Sequence, residues 1–307
     1  MEQLRFFVSL ITKENDYQRE QLAAAEAVGA RDGHEIVAVF AEKGAVAQNA
    51  QISEALRSEN RFHGAVVEPI GSGITAHAEA AVRANIGWAI LHNSAPYLTN
   101  LRHKDGPPVF VVNADHEEIG RIQSQQLHAL LPHGGTVLCI QGPIGCEPAD
   151  KRLQGMMRSK PDNVRIFLLR GQWTEASGYE AVKAWLGAVR GGGDLAAIVG
   201  QCDLMAMGAR RAIEELPKND SRRRWLDNLL FLGVDGLPHG GREWVRKGLL
   251  VATVIMQPNA GRAIELLANA IKTRAHPPAQ VTIPSESLPP VEQLVAAGRN
   301  SGSAASC

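Results

Sequence analysis

The sequence predicts an α/β protein made of two doubly wound parallel sheets, and three observations carry that expectation. Short apolar runs alternate with stretches of helical period from residue 4 to residue 284. The runs, such as HGAVVEP (63–69), PPVFVVNA (107–114) and GGTVLCIQG (134–142), lack the polar alternation of a strand with one wet face. Helices must therefore cover both sides of each sheet, the arrangement that parallel sheets require. Finally, the eleven such runs exceed what one sheet of this kind usually carries, so two similar halves solve the packing better.

The first half opens on the strand LRFFVSLI (4–11) and a helix from Tyr17 to Ala30, with apolar spacing at Leu22, Ala25 and Val28. HEIVAVFAE (34–42) is the second strand and 46–61 the second helix. HGAVVEP, a helix over 74–86, GWAILHN (87–93) and PPVFVVNA continue the alternation. A helix near 116–131 leads into the second half: GGTVLCIQG, a helix from Ala149, NVRIFLLRG (163–171), and a helix through 179–190. DLAAIVGQ (194–201), a helix over 203–216, the strand 228–235 and a helix over 242–250 follow. VATVIMQ (251–257), a helix over 259–274 and AQVTIP (279–284) close the pattern. Crossovers are expected to be right-handed, no short tandem repeat is present, and the Ser/Gly/Ala-rich residues 298–307 read as a disordered tail.

Composition narrows the function. Acidic and basic residues balance at 32 each, so no net field draws the chain to nucleic acid or a membrane surface. Forty-five per cent apolar residues with 5% aromatic suits a soluble, helix-rich globular protein. No apolar run approaches the ~18 residues of a membrane span. The apolar patch in MEQLRFFVSLITKEN is too short for a signal-peptide core and lacks a small-residue cleavage site. A native Met1 therefore implies a cytoplasmic protein, and a trimmed leader a periplasmic one. The four cysteines, Cys139, Cys146, Cys202 and Cys307, show no metal-binding spacing, so no metal or cofactor is expected.

In open parallel sheets ligands bind off the carboxyl ends of the strands. Those ends carry Lys13 to Tyr17, Glu68, His92 with Asn93, Gly145 to Asp150, Trp173, Gln201 to Asp203, Asp235, and Met256 with Gln257. Trp173 offers a flat face for stacking on C–H groups. Asp235, the lone carboxylate in NLLFLGVDGLPHGG (228–241), has two open readings: an acceptor for two ligand hydroxyls, or a cap on a neighbouring loop. His92 reads either as a pH-sensitive cleft hydrogen-bonder or as a satisfied loop histidine. Cys202 is a nucleophile only with a histidine partner, and a buried small hydrophobe otherwise. GPIGCEPAD (142–150) is better explained as a structural turn than as an anion cradle. The run RRRWLDN (222–228) reads as a solvated connection rather than a basic docking patch.

SLITKENDYQREQ, GAVVEP, GQCDLMAMGA, LGVDG and LLVATVIMQPNAG occur in that order. With their strand and helix context, they resemble type I periplasmic binding proteins of the ribose- and galactose-binding group, whose core also occurs in lactose-repressor-type regulators. The likeness covers residues 4 to 284. It implies two lobes joined by three crossover strands, near 113–115, 256–257 and 281–285, that close over a small molecule. It implies a first lobe of 1–113 plus 257–280 and a second of 114–256 plus 281–297.

Carried over residue by residue, the resemblance implies ligand contacts at ten positions. Tyr17, beside Asp16, stands where an aromatic stacks on the sugar. Glu68 replaces an Asn, and His92 with Asn93 replaces an Asp-Arg pair. Asp150 stands where an Arg is expected, with Lys151 and Arg152 adjacent. Trp173 matches an aromatic, Cys202 replaces an Asn, Asp235 matches its counterpart, and Met256 replaces a Gln. The set is too altered to assign ribose. A less hydroxylated or more apolar ligand, or one held by a different polar array, suits these substitutions.

The leading expectation is a non-enzymatic, monomeric solute-binding protein for a small, sugar-like polar molecule, serving an ABC transporter or signalling to a partner. A cytoplasmic ligand sensor is the alternative. A DNA-binding version would need a helix-turn-helix of ~50–60 residues before the first strand, whereas that strand begins at residue 4. No dinucleotide, phosphate-loop or nucleophile-elbow motif supports an enzyme.

Overall fold

The computed structural model describes residues 3–42, 44–71, 73–189 and 195–294; the expected tail at 298–307 lies outside them. The chain forms two compact units, and passes between them after Ala114, after Gln257 and after Ile283.

In the first unit β1 (Arg5–Leu10), α1 (Asp16–Asp32), β2 (Glu35–Phe40), α2 (Ala45–Arg57), β3 (Gly64–Val67), α3 (Thr75–Arg83), β4 (Gly87–Leu91), the single turn α4 (Leu98–Leu101) and β5 (Val109–Ala114) follow in order. The second unit holds α5 (His116–Leu130), β6 (Gly135–Gln141), α6 (Glu147–Ser159), β7 (Val164–Arg170), α7 (Glu175–Ala188) and β8 (Leu195–Gly200). It continues with α8 (Asp203–Glu214), a 3-10 helix (Ser221–Asp227), β9 (Leu230–Asp235), α9 (Gly241–Arg246) and β10 (Ala252–Ile255). The chain returns to the first unit for α10 (Ala260–Thr273) and β11 (Gln280–Ile283), and gives the second unit β12 (Glu286–Leu288).

The first sheet runs β11-β5-β4-β3-β1-β2, all parallel. The second runs β12-β10-β9-β8-β6-β7, parallel except for β12. Alternate side chains of β1 explain the double winding. Phe6, Val8 and Leu10 pack with α1 and α10, while Phe7 packs on the other face with α2 and α3. In the second unit Leu138 and Ile140 meet α7 and α8, and Val137 and Cys139 meet α5 and α6. Burial on both faces is what the uninterrupted apolar runs encode.

Two differences from the sequence expectation have physical causes. Over all four residues β11 pairs with β5, so 281–283 go with the first unit, although the expected second lobe resumed at 281. The strand β12 was not anticipated because Glu-Ser-Leu has too little apolar pattern; antiparallel pairing with β10 creates it.

Helix ends follow local chemistry. Asn15 Oδ1 accepts from the Gln18 amide and Gly33 closes α1 in the left-handed region at φ 71°. Thr174 and Ser177 form a capping box on α7. In RRRWLDN, Arg222 pairs with Asp220 and donates to the Leu186 carbonyl at the end of α7, and Trp225 is buried. That segment is a connection, but not a solvated one, because Trp225 packs into the core of the second unit.

Helix pairs in the second unit touch backbone to backbone. A Cβ added at Gly120 would lie 1.9 Å from the Arg152 carbonyl, and one at Gly155 1.9 Å from that of Glu117. The pair α7 and α8 repeats the device, with 2.2 Å from Gly178 to the Met205 carbonyl and 2.0 Å from Gly208 to that of Glu175. Only glycine permits these crossings.

Candidate ligand-binding site

Among the described residues, five non-glycine residues adopt left-handed backbone angles, and three of them end strands: His92 after β4 (φ 59°), Trp173 after β7 (63°) and Asp235 closing β9 (112°). Such angles cost on the order of 1–3 kcal/mol each and persist where surrounding structure enforces them. These turns aim an imidazole, an indole and a carboxylate from the ends at which doubly wound sheets meet ligands.

In the first unit the polar groups form two linked sets. Gln21, one turn beyond Tyr17 on α1, accepts the Ala260 amide proton through Oε1 at 2.8 Å. Its NH2 therefore faces His92 Nε2, at 2.6 Å. That nitrogen accepts, so the neutral ring carries its proton on Nδ1. The Asn259 amide lies 3.4 Å from Nδ1, and its Oδ1 has no hydrogen-bond partner among the described residues. Half a turn of that amide puts Oδ1 on the Nδ1 proton and satisfies both. The Tyr17 hydroxyl is 3.3 Å from Nε2, and the two rings meet edge to face with centroids 5.5 Å apart.

The second set fixes Glu68. Gln18 accepts the Ile11 amide at 2.9 Å and donates to Glu68 Oε2 at 2.9 Å. Gln48 donates to the Glu68 carbonyl at 2.7 Å and to Ser9 Oγ at 3.1 Å. Tyr17, Glu68 and His92 are all buried. Asp16 is not part of this group: it pairs with Arg19 on the surface of α1. Asn93 is half-buried and donates back to the Leu91 carbonyl at 3.4 Å.

In the second unit the central group is Arg152, 4% exposed. Its guanidinium donates to the Gln201 carbonyl, to Met256 Sδ at 3.2 Å and to His116 Nδ1 at 3.4 Å, and lies 5.4 Å from the Trp173 ring centre. None of these partners is a carboxylate. Trp173 in turn fills the space over Gly142, where a Cβ would come within 2.2 Å of the indole. Gln201 is fully satisfied, accepting from the Gly142 amide and donating to the Ala149 carbonyl, each at 3.0 Å. It thereby fixes the loop of GPIGCEPAD as a turn.

Behind this group lies Asp203 at the start of α8. It accepts from Thr253 Oγ1 at 2.6 Å and from the Gly236 amide at 2.8 Å. Burial pushes its carboxyl up to about 7, against the pull of those two donors and of the Arg152 charge. Cys202 is enclosed among apolar side chains, and burial with the nearby Asp235 charge pushes its thiol far up; it is packing, not a nucleophile. Asp235 is 6% exposed, and its carbonyl accepts from the Met256 amide at 3.1 Å.

The structure thus brings together Tyr17, Glu68 and His92 in one unit, and Trp173, Met256 and the surroundings of Asp235 and Cys202 in the other. Asp150, the position expected for a ligand-gripping Arg, is exposed and accepts from Gln141 at 2.9 Å. Two residues further on, the opposite side of α6 carries Arg152 instead. The signal was in the sequence: Pro148, Ala149, Arg152, Gly155 and Met156 share the buried face at helical spacing. Gln21 and Asn259 carried no such signal. Among the described residues no group of three or more metal-ligating side chains occurs, and no helix is long and apolar enough to cross a membrane.

A sequence profile of the periplasmic binding protein domain matches residues 6–275. The chain belongs to that family. The resemblance drawn from five short motifs, and the two-sheet α/β fold it implied, are both borne out. Among curated relatives, this family member is 25% identical over 154 residues to the ribose import binding protein of Escherichia coli K12, covering 50% of this chain and 49% of the relative. It is 24% identical over 169 residues to that of Salmonella typhimurium, covering 54% of each. The chain thus matches about half the length of these relatives.

Similar solved structures include a solute-binding protein from Actinobacillus succinogenes with bound D-allose, at TM-score 0.82, 18% identity and coverage of 95% and 99% of the two chains. The Caulobacter myo-inositol binding protein superposes at TM-score 0.79 with 18% identity, covering 96% of each chain. At these identities the likeness is one of fold.

Proposed function

We propose that this chain is a solute-binding protein for a small, sugar-like polar molecule, binding its ligand rather than transforming it. We place it as the substrate-binding component of an ABC importer. The observation that carries the reading is the set of strained strand-end residues, His92, Trp173 and Asp235, on a chain whose family profile covers residues 6–275. An aromatic face, a hydroxyl acceptor and a fixed imidazole are the equipment for a hydroxylated ring.

Arg152 adds donors whose hydrogen-bond acceptors include no carboxylate, so ligand oxygens complete its shell. Met256 gives that guanidinium only a thioether, a weak acceptor. Closure of the two units over the ligand is part of the proposal, by the hinge motion of two-lobed binders.

Mass spectrometry of the purified protein under native conditions should reveal a retained small molecule. A thermal-shift screen over pentoses, hexoses, furanose sugars and polyols should raise the melting temperature for a narrow subset. Arg152→Met should weaken that ligand at least about tenfold, and ligand addition should compact the protein in solution scattering. A protein that retains nothing and responds to no sugar or polyol contradicts the proposal.

A further inference from the structure

The first sheet has a second polar centre at its other end. Where β3, β4 and β5 begin, opposite the strand ends that carry Glu68 and His92, a cavity of about 860 Å³ opens. Arg61, Lys104 and Arg274 line it, with His63, His276 and one carboxylate, Asp105.

Elsewhere on the described surface most arginines hold a carboxylate, as Arg5 does Glu35, Arg31 does Glu265 and Arg211 does Glu175. The side chains of Arg61, Lys104 and Arg274 make no ion pair or hydrogen bond among the described residues. Three cations against one carboxylate leave two positive charges, 3 − 1, uncompensated around one concavity.

One histidine adds direction. His63 Nδ1 accepts the Arg5 amide at 2.9 Å, so in the neutral ring Nε2–H is a donor. His276 Nε2 faces the Lys104 carbonyl at 3.1 Å and donates to it, while its Nδ1 is sealed off from solvent. The cavity therefore offers three cationic heads and one N–H donor.

We propose that this cavity is a second ligand site, separate from the carboxyl-end residues, for a small anion carrying two or more negative charges. Polycarboxylates and sugar phosphates share that chemistry. Phosphate or carboxylate oxygens take the Arg61, Lys104 and Arg274 donors as charge-assisted hydrogen bonds.

Citrate and inorganic pyrophosphate are suitable calorimetric probes. The variant is Lys104→Ala with Arg274→Gly. Lys104 and Arg274 are exposed, and Arg274 already stands at φ 57°, where glycine is at ease, so folding is preserved. Citrate and pyrophosphate should bind the wild type saturably, weaken as sodium chloride rises from about 50 to about 300 mM, and lose at least about tenfold in the double variant. The site is refuted by no citrate binding at about 10 mM in low salt, or by equal binding to the double variant, which would locate the anion elsewhere.

Discussion

Asp203 makes the stability of the second unit depend on pH in an unusual direction. The carboxyl is 3% exposed, and Gly233 and Gly241 crowd it so closely that a Cβ at either would come within 2.0 Å of its oxygens. Burial raises it from the ordinary 3.8 to about 7. Because the folded value lies above the unfolded one, the folded state binds the extra proton between pH ~4 and ~7. Stability is therefore full at the acid end of that window and declines as pH rises through it.

A shift of about three units corresponds to about 4 kcal/mol at most, of which about 3 kcal/mol falls between pH 4.5 and 7.5. Asp203→Asn is isosteric. Its oxygen can accept the Gly236 amide and its NH2 can donate to Thr253 Oγ1, so the fold should survive without the titration. Urea unfolding followed by tryptophan fluorescence at several pH values would measure the difference. Relative to the variant, the wild type should lose stability across this range by up to about 3 kcal/mol. Carboxylates held low by cations, such as the half-buried Asp220 at about 2 beside Arg222, act in the opposite sense, but they are common to both proteins and cancel. Parallel pH profiles for wild type and Asp203→Asn would show that the buried carboxyl is not the source.

Gly120→Ala forces α5 and α6 apart and should cost at least about 2 kcal/mol in chemical denaturation; a loss under about 0.5 kcal/mol would mean the crossing is loose. Nitrogen-15 spectra of the His92 ring should show the proton on Nδ1. Gln21→Glu offers Nε2 a carboxylate, so imidazole titration should move upward by on the order of one pH unit, and an unmoved titration contradicts the assigned amide orientation. Trp173→Ala should weaken the retained ligand by on the order of 1 kcal/mol or more, and an unchanged affinity would make the indole a cover for Gly142 and Arg152 alone.

Period and apolarity made most of the architecture legible. VFVVNA and VLCIQ are buried along their lengths, and a run with no polar alternation has only one kind of sheet to enter. The strand β12 escaped because three residues of which only Leu288 is apolar carry no period; its partner β10 defines it. The candidate site was legible where a residue type is costly at its position. Asp235 and Trp173 stood out for that reason, and both occupy strained backbone. The resemblance puts the arginine's place at Asp150, whereas the buried face of the helix carries Arg152, two positions away on the other side. Gln21 and Asn259 act through contacts 71 and 167 residues away along the chain, and no local pattern announces a hydrogen bond of that span.

The bare crossings of α5 with α6 and of α7 with α8 bear on how the binding preference can change over time. With main chains in direct contact, no interleaving layer of side chains exists that could be repacked to tilt Arg152 or shift the start of α8. The frame behaves as a fixed jig. On the proposed function, new ligand preferences then arise by exchanging the residues mounted on it, Met256 and His92 among them, rather than by moving the mounts.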